Sequence, residues 1–188
     1  MWRKYRLCSL ILVSRLTIFL ASGFSLTETN FSVIGNQEGY RLFFWVWGAF
    51  VGNFCYLYVD KLMQQVECKD FIVRIFLNAS LFLLVVGVGL PYLPGRFPRT
   101  AALHVMFSFL APVCFGISQF RFLLWLQRKN GKVWRTQWCM QLVLGTVSVY
   151  LLFFLEMVTS LLEIFLTVGL CLYLCILHGK LEKIPDNL

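Results

Sequence analysis

Six long apolar runs, none with the alternation of a half-buried strand, leave this chain few ways to fold: Leu7 to Phe24, Leu42 to Val59, Phe71 to Leu90, Ala101 to Leu126, Trp138 to Leu155, and Val158 to Leu177. A helix needs roughly 20 apolar residues to cross about 30 Å of hydrocarbon, which these runs supply, whereas barrel strands are about half as long and alternate. In lipid every backbone N–H and C=O must be satisfied internally, so the pattern selects helices. Composition agrees: 59% hydrophobic and 14% charged residues, with a mean hydropathy of +0.74, leave too little polar surface for a soluble globule. The expectation is an all-α polytopic membrane bundle of six transmembrane helices, built as one domain over residues 1–188.

Each boundary has a local cause. Asp60 and Lys61 end the second run, and Lys69 and Asp70 precede the third, with Arg74 one turn in and able to snorkel. Pro91, Pro94, Gly95 and Pro98 break the chain before the fourth. The polar stretch from Gln127 to Gln137 separates the fourth from the fifth. Trp138 to Leu177 is apolar throughout except for Glu156, Thr159, Ser160 and Glu163. Its roughly 60 Å of helix cannot fit across one bilayer, so a tight helical hairpin is expected there.

Orientation follows from the basic residues, which gather in short cytoplasmic loops. With the N-terminus inside, the cytoplasmic segments hold Arg3, Lys4, Arg6, Lys61, Lys69, Arg74, Arg128, Lys129, Lys132, Arg135, Lys180 and Lys183. The other side holds only Arg41, Arg96 and Arg99, while Arg15 and Arg121 lie within helices. Both termini are therefore expected in the cytoplasm, with the protein in the cell membrane and its net charge of +8 meeting anionic lipid headgroups. Nucleic acid is not needed to explain that charge. The first run resembles a secretory signal in its basic start, but Arg15 in its apolar core argues for a true span.

Seven cysteines suggest no disulfide framework, because the outward loops contain none. Cys171 and Cys175 share a helix face at a spacing of four, which suits packing between helices and not a redox or zinc pair. His104 and His178 fall at opposite membrane faces, so no metal centre is expected. Hydrolase, nucleotide-binding and dinucleotide fingerprints are absent from the sequence, and neither a cofactor nor a catalytic residue is expected.

Three features carry the remaining information. Arg15, mid-span, needs a partner, water or a headgroup; a buried pair with Glu163 is one solution and snorkelling the other. The outward loop from Ser25 to Tyr40 mixes turn formers such as Asn30, Ser32, Gly35 and Asn36 with Phe31, Val33 and Ile34, and should fold back onto the helix ends. Its Asn30-Phe31-Ser32 also fits a glycosylation sequon. Gly48 and Gly52 permit close helix packing, more readily inside the bundle than in a homodimer. The outward helix ends thus form a candidate binding surface centred on Asn30, Ser32, Arg99 and His104. The bland alternative is a helix-end histidine with arginines facing headgroups.

The loop T-N-F-S-V-I-G, the connection F-P-R-T-A-A-L-H ending in His104, and the six-span length resemble the DRAM/Frag-like group of small six-helix membrane proteins and their bacterial relatives. Ser32 and Gly35 match that group's loop element, whereas Thr29 stands where its proline would be. The resemblance implies a helical bundle and carries over no catalytic residue. Three functions stay open. The first is a non-enzymatic membrane protein, a lipid-interacting or regulatory bundle or a partner of another membrane protein. The second is a small transporter or channel with Arg15, Asn53, Asn78, Gln119 and Glu163 along a polar path. The third is an intramembrane lipid-modifying enzyme that uses His104.

Overall fold

The computed structural model describes the backbone of residues 2–130 and 134–183, and side chains over 10–129 and 134–183. The described residues are all-helical. The helices are α1 (Trp2–Ala21), α2 (Phe31–Gly35), α3 (Arg41–Gln65), α4 (Phe71–Gly89), α5 (Pro98–Asn130), α6 (Arg135–Leu155) and α7 (Ser160–Leu181). Five of them, α3 to α7, are long and apolar enough to cross a membrane, and α1 contributes a shorter apolar stretch, Leu10–Ala21. The protein is thus a helical, multi-pass membrane protein by the length and composition of its helices. Their outward faces carry the large apolar side chains this requires, among them Leu42, Phe82, Leu142 and Phe153.

Polar residues punctuate the helices. Asp70 opens α4, its carboxylate accepting from the N–H groups of Ile72 and Val73 at 3.0 and 3.4 Å, which satisfies donors the first turn would otherwise leave open. The other Asp70 oxygen takes a bond from Arg121 Nε at 2.9 Å, so the arginine that sequence reasoning left inside a helix has a partner. Two turns are closed by non-glycine residues in the left-handed region, Glu67 and Glu156, each with φ 54°. Glu156 ends α6, and Thr159 caps α7 by accepting from Leu162 N. The expected hairpin therefore occurs at residues 156–159, because one left-handed residue and one cap suffice to reverse the chain. Pro112, by contrast, sits within an uninterrupted α5.

α4 packs along α5, α3 packs against α4, and α7 lies between α1 and α6 while also touching α3. Gly48 and Gly52 set the α3–α4 approach: a Cβ on Gly48 would meet Val88 at 2.9 Å, and one on Gly52 would meet Leu84 at 2.6 Å. The small residues are used inside the chain, as close helix contact in a membrane demands. One core cluster, around Phe122, Leu126, Trp134 and Tyr173, fills the end where α3 finishes and α4 begins. The second, around Val13, Leu20, Phe31, Ile34 and Trp47, fills the end that carries α2. Of the basic residues counted above, Arg41, Arg96 and Arg99 belong to the α2 end, and Lys61, Lys69, Arg74, Arg128, Lys129, Arg135, Lys180 and Lys183 to the other. Arg3, Lys4, Arg6 and Lys132 lie outside the residues whose side chains are described.

Candidate functional site

The loop after α1 does fold back, and it does so by forming α2, a one-and-a-half-turn helix that sequence reading took for loop. Asn30 is its N-cap, with an extended backbone and a side chain accepting from Val33 N at 2.9 Å. The same amide donates to Val158 O at 3.3 Å, tying α2 to the turn between α6 and α7. Ser160 N donates to Thr29 O at 2.7 Å and Leu161 N to Leu26 O at 2.9 Å across the same seam. Phe31 and Ile34 are fully buried, and Phe31 meets Trp47 edge to face with centroids 4.8 Å apart. Gly35 lies so close to Phe44 that a Cβ there would stand 2.5 Å from the ring. The result is a short helix seated as a lid over one end of the bundle.

His104 fastens this lid. Its ring is 1% exposed, with Nδ1 2.9 Å from Leu90 O and Nε2 2.7 Å from Ser32 Oγ. Leu90 O can only accept, so Nδ1 carries a proton; in the neutral ring Nε2 then accepts the Ser32 hydroxyl. One side chain on α5 thereby joins the C-terminus of α4 to α2. Tyr92 packs against the imidazole with ring centroids 5.6 Å apart.

Below the lid is a cavity of about 160 Å³ among α3, α4, α5 and α7. Its wall is mainly apolar and aromatic, including Phe44, Trp47, Phe115 and Leu170. Polar groups are few: Ser32 and Glu163 under the lid, with Ser80, Ser108 and Thr167 further along. Glu163 Oε2 accepts from Phe31 N at 2.6 Å, which satisfies a donor at the start of α2. α5 and α7 both line the cavity, yet they are not among the closely packed helix pairs.

Of the residues proposed from sequence, Ser32 and His104 come together, with Asn30 at the start of the same short helix. Arg99 does not join them: it is exposed. The expected pairing of Arg15 with Glu163 is not formed. Arg15 is exposed on α1, and Glu163 instead turns to the backbone of Phe31, because an acceptor one turn into α7 meets the bare N-terminus of α2 first. Nor do the five polar residues of the transport path converge. Asn53 and Asn78 are exposed as well, Asn53 donating to Ala49 O at 2.7 Å and Asn78 accepting from Tyr56 at 3.0 Å. Gln119 is buried, and only Glu163 of the five lines the cavity. Glu163 as a roof-and-cavity residue was missed in sequence reading; the signal for it was a lone carboxylate four residues after the Thr159 cap. Among the described residues no group of histidine, cysteine and carboxylate side chains could hold a metal.

No protein-family model, curated protein or solved structure matches the chain.

Proposed function

We propose that the protein is a six-span bundle of the cell membrane, with both termini cytoplasmic, that binds a membrane amphiphile in the cavity beneath α2 and works without catalysis. The twelve-to-three distribution of basic residues supports the orientation, and α1 supplies the sixth span once its first turns are counted. The observation that carries the reading is the cavity itself: an apolar pocket with a few polar groups in its wall is the usual form of a small-ligand site. That α5 and α7 are not closely packed supports entry from the acyl-chain side, with α2 over the opposite end. The likeness to the DRAM/Frag-like group fits this reading, since Ser32 and Gly35 lie in the lid.

Cross-linking with a small, short-chain diazirine-bearing amphiphile added to vesicles tests this. Labels at Leu166 and Leu170 should saturate and be displaced by excess of the same amphiphile without the diazirine, whereas labels at the outward Leu142 and Phe153 should not. Labelling confined to outward positions, or labelling that never saturates, defeats the proposal.

The Ser32–His104–Leu90 arrangement favours a second reading, an intramembrane lipid-modifying enzyme. A serine hydroxyl held by an imidazole whose other nitrogen is fixed by an acceptor is how a general base activates a nucleophile. A fluorophosphonate probe would label Ser32 in that case, and Ser32→Ala would abolish the label. The binding reading is preferred because the same hydrogen bonds fully account for His104 as the fastener of the lid.

A further inference from the structure

We propose that the cavity beneath α2 accepts a small lipophilic primary ammonium, with the Glu163 carboxylate as its counter-ion. This rests on reading the cavity as a ligand site and adds the chemical class of the ligand. Only one Glu163 oxygen is committed to the fold, through Phe31 N. The ion pairs among the described residues join Asp70 to Arg121 and Glu182 to His178, and none reaches Glu163. A carboxylate enclosed by apolar side chains is costly unless a cation compensates it. Among the described residues no cation pairs with it; in the empty cavity a proton neutralises the carboxyl, and a bound ammonium takes that proton's place as the compensating charge.

The rest of the wall suits such a ligand. Phe44, Trp47 and Phe115 offer aromatic faces, which attract a desolvated cation through the ring quadrupole. Ser32 donates its hydroxyl proton to His104 and keeps its lone pairs. Thr167 follows Glu163 by four residues, so it lies on the same face of α7 and lines the same cavity. A primary ammonium carries three donors; Glu163 and Ser32 offer acceptors at the lid end of the cavity, and Thr167 offers one further along α7. The volume of about 160 Å³ is close to that of apolar cavities, about 150 Å³, that accept a benzene ring. It holds the body of a single-ring or short-chain amine whole, but not a two-chain phospholipid.

Benzylammonium and toluene, titrated calorimetrically against the full chain in phosphatidylcholine nanodiscs with empty discs subtracted, give the test. Benzylammonium should bind the wild type about tenfold or more tightly than toluene, the factor a charge-assisted hydrogen bond supplies. Glu163→Gln keeps an acceptor for Phe31 N; it should remove that tenfold preference while changing toluene affinity less than about twofold. Equal binding of both probes to the wild type overturns the ammonium and leaves an apolar ligand site. A preference that survives in Glu163→Gln overturns the role of the carboxylate. Binding of neither probe overturns the ligand site itself. Adding phosphatidylethanolamine to the discs separates the sources of the group: competition assigns the ammonium to a lipid headgroup and overturns the free amine, and its absence supports the free amine.

Discussion

Replacing Gly35 with alanine tests whether α2 is a seated lid. A Cβ at this position would lie 2.5 Å from Phe44 Cγ, 2.7 Å from Cδ1 and 2.7 Å from Phe44 Cβ. Carbon atoms prefer about 3.5–4.0 Å, so roughly 1 Å must be found. Phe44 cannot supply it by rotating, because its own Cβ is one of the clashing atoms and its ring stacks on Trp47 with centroids 5.9 Å apart. The lid must rise instead, loosening the bonds from Phe31 N to Glu163 and from Ser32 to His104. Overpacking of this kind costs about 1–3 kcal/mol. Gly116→Ala is the control: Gly116 lies inside α5 and its Cβ would meet nothing within 4 Å, so helix propensity alone should stabilise by about 0.5–1 kcal/mol. Unfolding in mixed micelles, followed by tryptophan emission, measures both. If Gly35→Ala proves as stable as wild type, α2 does not rest on Phe44 and the enclosed cavity is lost with it.

Asn30→Ala removes both the cap of α2 and its tie to Val158 O, and should cost about 0.5–2 kcal/mol in the same assay from the cap alone. Arg15→Leu should leave stability unchanged or raised, since it removes an exposed charge from an apolar span. Glu163→Leu, by stranding Phe31 N, should cost about 1–3 kcal/mol; comparable losses in the two variants would revive an Arg15–Glu163 pair. Asp70→Ala should cost at least the roughly 1 kcal/mol of a lost cap and more than Arg121→Ala, since only the aspartate also caps α4; the reverse order in micelle unfolding would contradict that division. In a cysteine-free background, Gln37→Cys should react with an impermeant thiol reagent in intact cells and Lys69→Cys only after lysis; labelling of Lys69→Cys in intact cells would invert the orientation. Native Cys68 is a poor reporter, being buried, and that burial pushes its thiol above the ordinary range.

The helices were legible because their physics is local. Asp70, Thr159 and Glu156 mark ends by capping or by turning, and each does so within a few residues of sequence. Gly48 and Gly52 announced a close approach, though only the fold says that Val88 and Leu84 receive them. The site was half legible. Loop residues of buried type had to land somewhere, and Ser32 and His104 were polar groups at neighbouring helix ends. What stayed hidden was competition among partners: Glu163 had a long cation and a backbone N–H to choose between, and spacing along the chain cannot rank them. The same holds for Arg121, whose acceptor Asp70 lies 51 residues away.

The seam between α2 and the α6–α7 turn also has a consequence in time. Its bonds join residues 128 to 135 positions apart, so when Phe31 leaves the ribosome the carboxylate that will receive its N–H has not been made. At about 5–20 residues per second, the wait is of the order of ten seconds. During that interval Phe31 and Ile34 have no roof to form, and the aromatic surface of α3 stands open beside them. Closure of the lid is therefore a late event of synthesis, and a chain stopped short of α7 would carry its unfinished state as an exposed apolar face.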